Sequence, residues 1–93
     1  MLKQTPNDPY ALALSALAVT LSDERRAQRF LDLTGIETGE LRARAAEPAL
    51  LSALIRFLEA HEPDLLSVSE RIGVRADELV AARRQIEGSF EEP

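Results

Sequence analysis

The chain has 93 residues, 45% of them apolar, with 16 acids against 11 bases and a formal charge of −5. That length makes one domain with a small core, which buries roughly 60–65% of the surface its unfolded chain exposes. The apolar content excludes a disordered chain, the acidic balance disfavours phosphate backbones and anionic lipid, and the absence of cysteine excludes disulfides, thiolate zinc sites and cysteine nucleophiles.

Leu and Ala dominate the apolar residues and Trp is absent, which favours helix over sheet. Residues 1–7 read as a loose N-terminus. Asp8 is a helix cap and Pro9 suits the first helical position, where its missing N–H is no loss. The run Tyr10 to Leu21 is apolar except for Ser15 and Thr20. It is too short for a bilayer, which needs about 20 residues. It has some look of a signal-peptide core, but Asn7-Asp8-Pro9 is a helix start and acid does not suit the leader of a signal. Tyr10, Leu14, Leu17, Ala18 and Leu21 share one face of this helix, and Leu12, Ala16 and Val19 make the other side apolar too. A helix apolar nearly all round is a buried one.

Ser22 is the expected cap of a second helix, with Asp23 and Glu24 in its first turn and Ala27, Phe30, Leu31 and Thr34 facing inward. Gly35 ends it. Thr38 is the expected cap of a short third helix through about Ala46, with Leu41 and Ala45 inward. Glu47-Pro48 starts a fourth, rich in Leu50, Leu51, Leu54, Ile55, Phe57 and Leu58. The first and fourth helices should form the centre of the core. Asp64 is the expected cap of a fifth helix to Ile72, ended by Gly73. A sixth runs from about Ala76 to Glu87 and is ended by Gly88. The expectation is therefore an all-α domain of five or six short helices over residues 8–88, with residues 89–93 as a frayed acidic tail.

Gly35-Ile36-Glu37-Thr38-Gly39-Glu40-Leu41 recurs, 38 residues on, as Gly73-Val74-Arg75-Ala76-Asp77-Glu78-Leu79. Each copy joins a glycine helix stop to a helix start and so marks a tight corner. The second corner has the sterics of a helix-turn-helix across residues 65–84, with Val68, Ile72, Gly73, Val74 and Leu79 inward and small Ser69 between the helices. Its outward residues are Arg75, Ala76, Asp77, Val80 and Ala81, and Asp64 to Pro93 carries four bases against seven acids. DNA affinity normally rests on several neutralised phosphates, so this chemistry disfavours nucleic acid.

Arg25, Arg26 and Arg29, with Arg42 and Arg44, form the one basic concentration and the candidate partner-binding face. The simpler reading is a solvated face paired with Asp32, Glu37 or Glu40, worth roughly 0–1 kcal/mol per pair. Glu59, His61, Glu62 and Asp64 are the best acid-base or metal candidates, but they lack the spacing of a known site. No serine has the surroundings of a nucleophile, and no glycine-rich phosphate loop is present. No catalytic residue, cofactor or metal is expected.

Ala13-Leu14-Ser15-Ala16-Leu17, Arg29-Phe30-Leu31-Asp32-Leu33-Thr34-Gly35-Ile36, Leu41-Arg42, Ala45-Ala46-Glu47-Pro48, and Phe57-Leu58 with Glu62 carry a resemblance, over roughly residues 11–87, to the small alphaproteobacterial proteins grouped as domain-of-unknown-function family 3572. It implies a bacterial cytoplasmic helical domain and no activity. A surface shared by the family would lie at Arg42 and Glu47-Pro48; the alternative is that Arg42 braces the third helix by pairing with Glu47. The expected function is a non-enzymatic protein-interaction or regulatory adaptor with an unknown protein partner and no membrane; self-association is open. The alternative is a DNA-binding transcriptional regulator using the 65–84 corner.

Overall fold

The computed structural model describes residues 8–91. Six helices follow one another: α1 (Pro9–Leu21), α2 (Glu24–Thr34), α3 (Thr38–Arg44), α4 (Pro48–Glu59), α5 (Glu62–Ile72) and α6 (Ala76–Glu91). The described residues contain no strand, and none of their helices is long and apolar enough to cross a membrane. The loose N-terminus expected over 1–7 and the last two residues of the expected tail lie outside the described residues.

Asp8 caps α1 as expected, its Oδ1 accepting the N–H groups of Tyr10 and Ala11 at 3.0 and 3.3 Å. The buried stripe of α1 is Ala13, Ala16, Leu17 and Thr20. Leu14 and Ala18, expected inward, are exposed. Because this helix is apolar on every side, its sequence does not set its rotation; packing does. Thr20 is fully buried because its hydroxyl donates to the Ala16 carbonyl at 2.8 Å.

α1, α4 and α6 pack against one another, and α5 packs on all three. The expected pair of central helices is thus a trio. Leu51, Leu54, Ile55 and Leu58 of α4 are fully enclosed, as are Leu79 and Ile86 of α6 and Phe30 of α2. Burying each such side chain stabilises the fold by about 1.5–3 kcal/mol.

The boundaries of four helices differ from expectation. Asp23, not Ser22, caps α2, with Oδ1 accepting from the N–H groups of Arg25 and Arg26 at 3.0 Å each. Ser22 belongs to the end of α1, where its hydroxyl donates to the Val19 carbonyl. Adjacent Ser and Asp are equally good caps, so only the chain path decides between them. α3 starts from Glu37 and ends at Arg44. α5 begins at Glu62 behind His61, whose carbonyl accepts from the Asp64 and Leu65 N–H groups; Asp64 is freed from capping. α6 runs through Gly88 to Glu91, so Gly88 does not end it and residues 89–91 are helical.

The repeated segment is explained position by position. Gly35 and Gly73 follow α2 and α5 with φ of +73° and +81°. After α5, the Gly73 N–H bonds the Glu70 carbonyl and the Val74 N–H reaches back to the Ser69 carbonyl, the paired bonding of a Schellman end. After α2, only the Gly35 N–H turns back, to Leu31, while the Ile36 N–H is taken by the Thr34 hydroxyl at 3.3 Å. Glu40 and Glu78 each accept the N–H three residues before them, from Glu37 and Arg75 at 3.1 and 2.7 Å. These bonds satisfy a donor at the start of α3 and of α6. Leu41 and Leu79 then enter the core.

Nothing lies within 4 Å of a Cβ added at either corner glycine, so the cost of substitution there is conformational. Gly35→Val or Gly73→Val is expected to destabilise the domain by about 1–2 kcal/mol in urea unfolding. Gly88, inside a helix with open space beside it, has the opposite expectation. Gly88→Ala should stabilise by about 0.5–1 kcal/mol.

Candidate functional site

The five arginines of the basic concentration meet three different fates. Arg26 and Arg29 turn inward from α2 onto Asp64 of α5. Arg26 Nε donates to Asp64 Oδ1 at 2.8 Å and Arg29 Nη2 donates to Asp64 Oδ2 at 2.9 Å. Arg26 Nη2 also donates to Ser67 Oγ at 3.1 Å. The Arg29 guanidinium lies 5.1 Å from the centre of the Phe57 ring, and Phe57 meets Phe30 edge-on at 5.4 Å. Asp64 is only 6% exposed. Burial pushes its carboxyl up, but the hydrogen bonds from Arg29 and Arg26 outweigh that and hold it below the ordinary 3.8. The expected partners Asp32, Glu37 and Glu40 take no part.

Arg44 pairs with Glu47 at 3.0 Å, the contact given above as an alternative for Arg42. Arg25 and Arg42 are exposed and form no ion pair among the described residues. Arg25 borders a cleft of about 200 Å³ with Asp23, Arg26, Arg29 and Asp64, which is already filled electrostatically by its own ion pairs.

Arg42 has a different setting. Thr38, Leu41, Arg42 and Ala45 recur at helical spacing on one face of α3, and that face opposes Leu17 and Leu21 of α1. Together they line an open, mainly apolar groove of about 290 Å³. Its floor is the buried pair Leu17 and Leu41. Its polar features are the Thr38 hydroxyl and the Arg42 guanidinium. An apolar floor with one free cation is the composition of a binding groove. Sequence reasoning named Arg42 but not the groove, because the α1 residues opposite it lie 21 and 25 positions earlier in the chain.

The acid-base candidates disperse. Glu59 receives Arg83 of α6, with the Arg83 Nη2 bond at 3.1 Å, and Asp64 is held by α2. His61 and Glu62 are exposed. No three His, Cys, Asp or Glu side chains converge among the described residues. Glu87, which sequence reasoning passed over, joins α6 to α4. It accepts from Arg56 Nε and Nη2 at 2.7 and 2.9 Å, from Arg83 Nη1 at 3.0 Å and from the Ser52 hydroxyl. The hydrogen bonds from Arg56 and Ser52 pull its carboxyl from 4.5 to about 2. At the helix-turn-helix-like corner, Arg75, the base just before α6, pairs with Asp77 at 3.1 Å.

Asp64→Ala is expected to cost about 2 kcal/mol in urea unfolding. It removes two charge-assisted hydrogen bonds and leaves Arg26 largely buried without a counter-charge, while half-exposed Arg29 returns to water. Both depressed carboxylates bind protons less readily in the folded chain than in the unfolded one. Their contribution to stability is therefore complete above the ordinary values of 3.8 and 4.5. It is lost as pH falls toward the folded values, about 2 for Glu87. Urea midpoints should stay level above pH 5 and fall below about 4.5, and Glu87→Gln should flatten that fall.

The family model described as "Protein of unknown function (DUF3572)" matches residues 6–89. No curated protein and no solved structure matches the chain. Within the matched span lie the α1–α3 groove, the Asp64 ion pairs, and the Thr34-Gly35 corner whose hydroxyl holds the Ile36 N–H. The chain belongs to the family of proteins of unknown function DUF3572.

Proposed function

We propose that the protein acts by contact, as a non-enzymatic, cytoplasmic protein-interaction or regulatory adaptor, and that the α1–α3 groove is its docking surface. The observation that carries this reading is the groove itself: an apolar floor, an open mouth between two helices, and at the rim Arg42, exposed and without an ion pair among the described residues. Grooves between helices suit apolar side chains presented by a protein segment. A Leu-sized anchor seated there contributes about 1.5–3 kcal/mol, whereas a rim ion pair to Arg42 contributes roughly 0–1 kcal/mol. The apolar contact therefore supplies most of the affinity, and Arg42 orients the segment. Duplex DNA has less support, since Arg75 is engaged by Asp77 at the corner that would read it.

Affinity capture from the native cell, with captured proteins identified by mass spectrometry, tests the reading. Thr38→Trp, which fills the groove from its exposed rim, and Arg42→Glu should both lose the dominant captured protein. Arg71→Glu, at an exposed arginine of α5 with no ion pair among the described residues, should retain it. Equal capture by all four proteins would contradict the groove as the docking surface.

A further inference from the structure

We infer that the occupant of the α1–α3 groove is a second copy of this chain, which inserts Leu33. This rests on the reading of the groove as a docking surface and names what fills it. Leu33, on the last turn of α2, is 75% exposed, the largest exposure among the big apolar side chains described. No packing among the described residues accounts for it. Its neighbour Asp32 is exposed and, among the described residues, its carboxylate is bonded only to the Gln28 side chain, at 2.9 Å through one oxygen. Leu33 and Asp32 thus offer an apolar anchor beside a carboxylate. The groove offers an apolar floor beside a guanidinium.

Knob and groove are also close along the chain. Thr38 on the groove wall is five positions after Leu33, a reach of at most about 18 Å. The molecule extends 36 × 34 × 25 Å, so one face can hold both. A patch that carries a knob and the groove for that knob is self-complementary. Two copies related by a two-fold axis each insert Leu33 into the other's groove, with each Asp32 toward the second copy's Arg42, and the pair closes. The two other exposed large apolar residues described, Leu14 on α1 and Leu66 on α5, are 39% and 52% exposed and have no carboxylate as a chain neighbour. A charge of −5 on each copy opposes approach, but the screening length is about 8 Å in physiological salt, so contact terms decide.

Sedimentation equilibrium of the full chain, from micromolar to millimolar concentration, tests the proposal. The expected result is a reversible monomer–dimer equilibrium. Leu33→Gln and Arg42→Glu should each weaken it by about tenfold or more, as loss of an interface anchor does. Asp32→Arg alone should weaken it too, while Asp32→Arg with Arg42→Glu should recover it, because the pair is then reversed and not removed. These three side chains are exposed, and unchanged circular dichroism shows that the monomer fold is kept. A chain monomeric at millimolar concentration, a dimer indifferent to Leu33→Gln and Arg42→Glu, or an open series of larger species would overturn the proposal. If the chain is monomeric while Thr38→Trp and Arg42→Glu still lose a captured protein, the groove reading stands and the second copy is not its occupant. If those two variants change neither capture nor association, both fall.

Discussion

The seat of α2 depends on one carboxylate. α2 encloses a single side chain completely, Phe30, worth no more than about 3 kcal/mol. Leu31 packs partly buried against the core, and a charged contact joins α2 to α5: Asp64 receives Arg26 and Arg29, and Arg29 lies over Phe57, which in turn meets Phe30. The position of α2 sets that of α3, since only Gly35, Ile36 and Glu37 separate them. α3 supplies one wall of the groove. A buried ion pair in α2 and α5 therefore determines the shape of a surface formed by α1 and α3.

The Glu87 cluster makes an instructive contrast. It ties α6 to α4 through Arg56, Arg83 and Ser52, but those helices already share Leu54, Ile55, Leu58, Leu79 and Ile86 in the core. Apolar burial holds that contact, and the ion pairs fix how the two helices slide against each other. At α2 the balance is reversed. Burial alone is thin, and the charged contact decides whether the helix stays down.

The helices were legible from capping chemistry, stop residues and apolar spacing, and six appear. Asp8, Gly35, Gly73, Leu41 and Leu79 act as read because their roles depend on neighbours within a turn or two. Rotation of α1 was not legible, since no polar face marks the side that Leu14 and Ala18 turn to solvent. Asp64 was misread because an acid two residues after a helix start looks the same whether it caps that helix or pairs with α2. Its partners lie 38 and 35 residues away. The arginine cluster was found as a group. Which of them turn inward onto Asp64, and that Arg25 and Arg42 stay without an ion pair among the described residues, is set by tertiary packing and leaves no local signature. The recurring Gly-[Ile/Val]-x-x-x-Glu-Leu segment, suggestive of DNA recognition, is accounted for by two glycine ends, two back-reaching glutamates and two core leucines.

Native-state hydrogen exchange on Asp64→Asn addresses the central claim most directly. Asn keeps the volume of the side chain and removes its charge. If Asp64 seats α2 and through it α3, amides of α2 and α3 will lose protection selectively, while those of α4 and α6 keep theirs. Unchanged protection in α2, or a uniform loss across all six helices, would contradict the claim that this carboxylate governs the α1–α3 surface.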